Sequence, residues 1–285
     1  MSIGTFMLIR DEHPWIAAHL LNVLPFIDEM VFLDGNSTDG TLEIIEHIRD
    51  NHEHGSKILL IKGQDPKNLQ DDYVRLFNDA LHKLNTDWAF FLHPDMWIAD
   101  PSHLREVANM GGICLATRVT SFAGEPGGQL YEIDGRGKYW KNIYRLNNPN
   151  LGAHYFGSYG ETAEDVYFSS ITGKEHCFYD DFKNYPYPIL QSGLEILHFS
   201  DVRPYERRHS RMMKCLENNR WPKDKALERA ATHPRVTLKD DGQYRFIPRE
   251  YPLAMTEARE KYKHLEKEPK CLPVFHSSSP SISPI

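Results

Sequence analysis

The chain has 285 residues, of which 40% are hydrophobic and 26% charged, with a formal net charge of -7. That composition excludes collagen-like and wholly disordered chains, and the net negative charge gives no electrostatic reason to expect a nucleic acid or a membrane surface as partner. The length admits one large domain, or two closely joined ones, with a sizeable core.

Four cysteines, Cys114, Cys177, Cys215 and Cys271, lie far apart with no Cys-x-x-Cys spacing. This argues against a disulfide framework or a structural zinc site and for a reducing compartment. The apolar part of residues 1–10 is too short for a secretory signal, and no later apolar run reaches spanning length. A cytoplasmic protein without an intrinsic membrane span is the expectation.

In chain order, residues 3–9 read as a buried strand, and residues 14–24 as a helix with Pro14 in its first turn. Residues 29–33 form the second strand, residues 41–49 a helix with Leu42, Ile45 and Ile48 on one face, and residues 57–61 a third strand. Asp34 falls just past the carboxyl end of the second strand, where open α/β sheets bind ligands, and Ser37 and Asp39 can cap the helix that follows. From residue 71 to 84 the apolar residues Tyr73, Leu76, Phe77, Ala80, Leu81 and Leu84 recur at helical spacing, and residues 88–92 read as a central strand. Asp100-Pro101-Ser102 is a helix start, and Gly111-Gly112 leads into an apolar strand over residues 113–119. Strands that alternate with helices in this way predict a parallel sheet.

Beyond Ser121 the texture turns to Gly, Tyr, Asn and Pro, with short strand-like pieces until Arg203. A basic helix is predicted over residues 205–219 and a further helical stretch over 224–231. Residues 267–285 lack the apolar content to fold and read as a disordered tail.

Four pieces, Arg10-Asp-Glu12, Asp34-Gly-Asn-Ser-Thr-Asp-Gly-Thr41, Phe77-Asn-Asp-Ala-Leu81 and Trp88-Ala-Phe-Phe-Leu-His-Pro-Asp95, stand in a telling order and spacing. Together they resemble the amino-terminal half of family-2 glycosyltransferases of the GT-A fold. The resemblance covers roughly the first hundred residues well and the remainder weakly. It implies an α/β fold with a Rossmann-type, mostly parallel central sheet flanked by helices, a loop-rich acceptor half and a short C-terminal helical extension. The corresponding division is a nucleotide-sugar-binding half over residues 1–120, an acceptor half over 121–220, the extension over 221–266 and the tail over 267–285.

The activity implied is transfer of a sugar from a nucleotide-diphosphate sugar, most readily a UDP-sugar, to an acceptor hydroxyl, with inversion and with Mn²⁺ or Mg²⁺. A divalent ion held by carboxylate and imidazole stabilises the charge that gathers on the diphosphate leaving group. Asp95 occupies the second acidic position of the family's Asp-x-Asp motif and is the first expected metal ligand. His93 stands at the first position, bringing one negative charge fewer, and is expected among the nucleotide-binding residues. His198, within the apolar run 195–200, is the second expected ligand; without the resemblance it reads more often as a core histidine, and the resemblance makes the two readings about equal. Asp34 is assigned to the nucleotide. Arg10 and Glu12 either contact the nucleotide or pair with each other, and Arg75 either reaches the donor or pairs with Asp79.

An inverting transferase needs a carboxylate to accept the proton of the acceptor hydroxyl. Asp165 and Glu161 are the two candidates, set against the ordinary reading of exposed loop acids. The acceptor itself stays open among a glycan, a lipid-linked sugar, a protein side chain and a modified base. Two alternatives stand beside this reading: a catalytically inactive nucleotide- or glycan-binding relative, and a sugar nucleotidyltransferase. Against the latter, Arg10-Asp-Glu12 takes the place of a Gly-rich phosphate loop.

Overall fold

The computed structural model describes residues 1–64, 69–112, 114–134, 138–146, 154–159, 162–169, 174–177, 190–218 and 221–267. The chain begins with β1 (Ile3–Ile9), α1 (His13–Val23), β2 (Glu29–Asp34), α2 (Thr41–Asn51), β3 (Ile58–Ile61), α3 (Leu69–Leu81) and β4 (Trp88–Phe91). It continues through β5 (Met96–Ile98), α4 (Leu104–Ala108), β6 (Cys114–Gly124), β7 (Leu130–Asp134), β8 (Lys138–Arg145), β9 (His154–Tyr159), β10 (Thr162–Ser169), β11 (Lys174–Cys177) and β12 (Leu190–Val202). It ends with α5 (Tyr205–Asn218), α6 (Lys223–Thr232), α7 (Pro234–Thr237), β13 (Arg245–Arg249) and α8 (Leu253–Tyr262).

The principal sheet has the order β13-β7-β6-β8-β4-β1-β2-β3, with β12 beside β6 and β5 beside β12. Its first-built part is parallel: β1 pairs with β2 and β4, and β2 with β3. β8 then enters antiparallel between β4 and β6, which makes the far part mixed. β9, β10 and β11 form a separate antiparallel sheet, whose β9 and β10 lie against α3.

The apolar runs form strands because both faces of the sheet are covered, which removes the need for polar alternation. On one face Met7, Phe32, Trp88 and Phe90 pack with Ile16, Leu20, Ile44, Ile45 and Ile48 of α1 and α2. On the other, Phe6, Val31, Leu33 and Ala89 meet Leu76, Ala80 and Leu81 of α3. The inward face of α2 is thus Ile44, Ile45 and Ile48, while Leu42 stays half-buried.

Residues 221–266 hold α6, α7 and α8, and they also supply β13, which pairs with β7 and closes one edge of the sheet. α8 packs along α1. β13 escapes the sequence reading because its five residues Arg-Phe-Ile-Pro-Arg include a proline that edge strands tolerate. Of the predicted tail, residues 268–285 lie outside the described residues.

Candidate functional site

The loops after β1 and β2 are laced to each other at the carboxyl edge of the parallel strands. The Asp11 amide donates to Ser37 Oγ at 3.0 Å, and the Thr38 amide to Asp11 Oδ1 at 2.7 Å. The Glu12 amide donates to Thr41 Oγ1 at 2.8 Å and the His13 amide to Asp39 Oδ2 at 2.9 Å. Asp39 also takes the Thr41 amide at 3.0 Å, so this carboxylate caps α2 and ties the start of α1 to it. The backbone turns this requires put Asp11 at φ 54° and Asn36 at φ 64°, the left-handed region that Asp and Asn enter more readily than most residues.

Asp34, the predicted nucleotide ligand, is fully buried beneath these loops. Its carboxylate accepts from the Asn36 amide at 3.0 Å, the Ser37 amide at 3.2 Å and Ser37 Oγ at 2.5 Å. Burial pushes its carboxyl above the usual range, against the lowering effect of those bonds. What these contacts do is organise the loop that presents Gly35.

A cleft of about 290 Å³ opens above them, lined by Arg10 and Glu12 from the first loop, Gly35, Gln64, Phe77 of α3 and His93 after β4. Three of the predicted nucleotide residues, Arg10, Glu12 and His93, therefore share one cavity. The His93 ring meets Phe91 edge-on with centroids 4.7 Å apart, and Phe91 meets Phe77 at 5.3 Å. An aromatic row thus underlies one wall, a surface suited to a planar base. Arg75, by contrast, is exposed and pairs with Asp79 at 2.9 Å, and it does not line this cleft.

Asp95 and His198 come together through the sheet. β12 runs antiparallel to β5 with His198 opposite Met96, which brings His198 Nε2 to 3.6 Å from Asp95 Oδ1. Both are largely buried. Arg203, the first residue beyond β12, stands 3.6 Å from the other oxygen, Asp95 Oδ2. Its place in a basic run gave no hint of this, because the geometry depends on where β12 ends.

Behind Asp95, α1 holds the strand that follows. His19 Nδ1 lies 2.9 Å from the Met96 carbonyl, and Asn22 both donates to the Ile98 carbonyl at 3.0 Å and accepts from the Ile98 amide at 2.9 Å. Burial lowers the His19 pKa to about 4, so its ring is neutral and Nδ1–H is the donor to the carbonyl. The sequence reading missed both residues; the only signal was a histidine and an asparagine inside an apolar helix.

Among the described residues, no three His, Cys, Asp or Glu side chains group to hold a metal. Asp95 and His198 alone suit a divalent cation that takes its remaining ligands from a diphosphate and water. Arg208, in the basic run of α5, is 6% exposed and bonds the Gly124 and Val236 carbonyls and Glu125, so it braces the fold. Asp165 lies on β10, opposite Phe156 of β9; its side chain and Glu161 fall outside the described residues.

No family model and no curated protein sequence matches the chain. Among solved structures, it is similar to residues 1–349 of TarS from S. aureus, with 14% identity and a TM-score of 0.41 over 82% of this chain and 73% of that one. It is also similar to the mannosyltransferase PcManGT from Pyrobaculum calidifontis in complex with GDP-Man and Mn²⁺, with 12% identity and a TM-score of 0.45 over 83% and 73%. A third is glucosyl-3-phosphoglycerate synthase from Mycobacterium tuberculosis with Mn²⁺, UDP and glucosyl-3-phosphoglycerate, at 16% identity and a TM-score of 0.31 over 41% of this chain and 44% of that one. By its own topology, a parallel β3-β2-β1-β4 block with a cleft at its carboxyl edge, the chain has a Rossmann-type α/β fold.

Proposed function

We propose that the chain is a glycosyltransferase that takes a sugar from a nucleoside-diphosphate sugar, of which a UDP-sugar is the first to test. The observation that supports this most is the convergence of Arg10, Glu12 and His93 on one cleft at the carboxyl edge of parallel strands, beside an Asp95–His198 pair that can meet a diphosphate.

In this reading the base lies against the aromatic wall of Phe77 and His93, and Glu12 accepts hydrogen bonds from ribose hydroxyls or base N–H groups. Arg10 and Arg203 offer guanidinium donors to the diphosphate, where charge accumulates as the glycosidic bond breaks. Asp95 and His198 would hold Mn²⁺ or Mg²⁺, which when bound acts as a Lewis acid on the leaving group. Arg203, 3.6 Å from Asp95 Oδ2, would supply part of the neutralisation as a fixed cation of the protein. Asp165 or Glu161 accepts the proton of the acceptor hydroxyl as it attacks the anomeric carbon from the opposite face, which inverts the configuration. Residues 1–120 form the donor half and residues 121–220 the acceptor half.

A thermal-shift panel of UDP, GDP, CDP, ADP and dTDP, each with Mn²⁺, Mg²⁺ or EDTA, tests the site. One diphosphate should raise the melting temperature and its effect should shrink in EDTA. Release of free sugar from the matching donor then separates an active transferase from an inactive nucleotide-binding relative. No shift with any nucleotide overturns the donor site.

A further inference from the structure

A second, larger cavity of about 770 Å³ lies beyond residues 10–13, and no residue lines both it and the donor cleft. His13 and Ala17 of α1, Ile44 of α2, the turn after β6, the start of α5 and one side of α8 enclose it. The donor cleft is walled by α3, on the opposite face of the sheet.

Its wall carries three acids, Glu125, Glu260 and Glu266, and three basic side chains, Arg207, Arg259 and Lys263, but they do not pair one to one. Of the acids on its wall, Glu125 is engaged by buried Arg208 at 3.0 Å, Glu260 by Lys263 at 3.3 Å, and exposed Glu266 lies 3.6 Å from His13 Nδ1. Arg207 and Arg259 also line the cavity, and neither forms a salt bridge among the described residues. Arg259 is held over the Trp15 ring, 5.3 Å from its centroid, which fixes its guanidinium without a counter-charge.

His13 adds an independent sign of a ligand. It is 9% exposed, it lines the cavity, and neither of its ring nitrogens has a hydrogen-bond partner. The carboxylate of exposed Glu266 stands 3.6 Å from Nδ1, within ion-pair reach of a protonated ring but beyond hydrogen-bond range. A buried polar ring without a bond is destabilising, and a ligand acceptor would relieve it.

We propose that this cavity binds a small organic anion, a phosphomonoester or a carboxylate, with Arg207 and Arg259 as its guanidinium partners and His13 as a further hydrogen-bond donor. Guanidinium groups match the paired oxygens of either anion in bidentate geometry. Tyr251 and Tyr262 on the wall offer apolar faces to the ligand's carbon skeleton. The site is distinct from the donor cleft and does not depend on glycosyl transfer.

Isothermal titration with glycerol 3-phosphate, citrate, inorganic phosphate and neutral glycerol tests it on the full chain. At least one anion should bind saturably and glycerol should not; whether phosphate esters or citrate bind better identifies the ligand class. Arg259→Gln and the exposed Arg207→Gln should each weaken that anion at least tenfold while leaving any UDP-induced thermal shift unchanged. Arg10→Ala, in the donor cleft, should leave anion binding intact. Should Arg259→Gln fail to fold, Arg207→Gln alone decides. The proposal is overturned if no anion binds the wild-type chain, or if the Arg207 variant binds that anion as tightly as the wild type.

Discussion

Asp95 Oδ1 and His198 Nε2 stand 3.6 Å apart, joined by the antiparallel pairing of β12 with β5. The pair is held from behind by α1, whose His19 and Asn22 bond the backbone of β5. The same helix begins at the loop that carries Arg10 and Glu12, so one rigid element sets the position of both parts of the candidate site. Sites on such elements keep their geometry better than sites on free loops.

Asp95→Asn removes the charge that His198 and Arg203 share. Diphosphate binding in the presence of Mn²⁺ should weaken by about tenfold or more, the equivalent of about 1.4 kcal/mol. In EDTA the variant and wild type should differ far less. Calorimetric titration with the diphosphate identified in the thermal panel measures both, and equal loss with and without metal would count against Asp95 as a metal ligand.

His19 predicts a pH dependence of stability. Its folded pKa of about 4 lies below the ordinary 6.5, so between these values the unfolded chain holds a proton that the folded chain does not. Stability from this group is therefore lost as pH falls from 6.5 to 4, by about 3 kcal/mol. His19→Gln should flatten that part of the curve. Urea melts at pH 7, 5.5 and 4.5 read the slope, and an unchanged slope in the variant would refute the assignment.

Asn22→Leu should destabilise the fold by about 3 kcal/mol, because it leaves the buried Ile98 amide and carbonyl without their side-chain partners. Asn22→Asp should recover only the bond from the amide. Denaturant melts give the difference, and a loss below about 0.5 kcal/mol would show that β5 does not depend on α1.

Gly40→Ala should cost about 1–3 kcal/mol. Gly40 sits at φ 100° just before α2, and a Cβ there would collide with the Leu265 carbonyl oxygen. Lys267 donates its amide to the Asp39 carbonyl at 2.8 Å, so the segment after α8 is seated on the loop that carries the α2 cap. The variant should lose melting temperature and show faster proteolysis after α8.

The strands and helices of the first hundred or so residues were legible because each has a local cause. Residues 3–9, 29–34 and 88–91 are apolar runs of strand length, α2 and α3 repeat their apolar residues at helical spacing, and Asp39 and Asp100 accept from the amides two residues on, as their positions before helical turns predict. The short strands were less legible in either half: β5 is three residues long and β13 five, too short for a period to show.

The same division runs through the site. The sequence by itself determined that carboxylates, imidazoles and an arginine would cluster where strands end, since residues that follow a buried strand emerge at the sheet's carboxyl edge. Only the tertiary structure decided their partners. It buried Asp34 under its own loop, turned Arg75 to Asp79, and brought Arg203 to Asp95. Such pairings follow from sheet order and strand register between segments far apart in the chain, and no local pattern encodes that register.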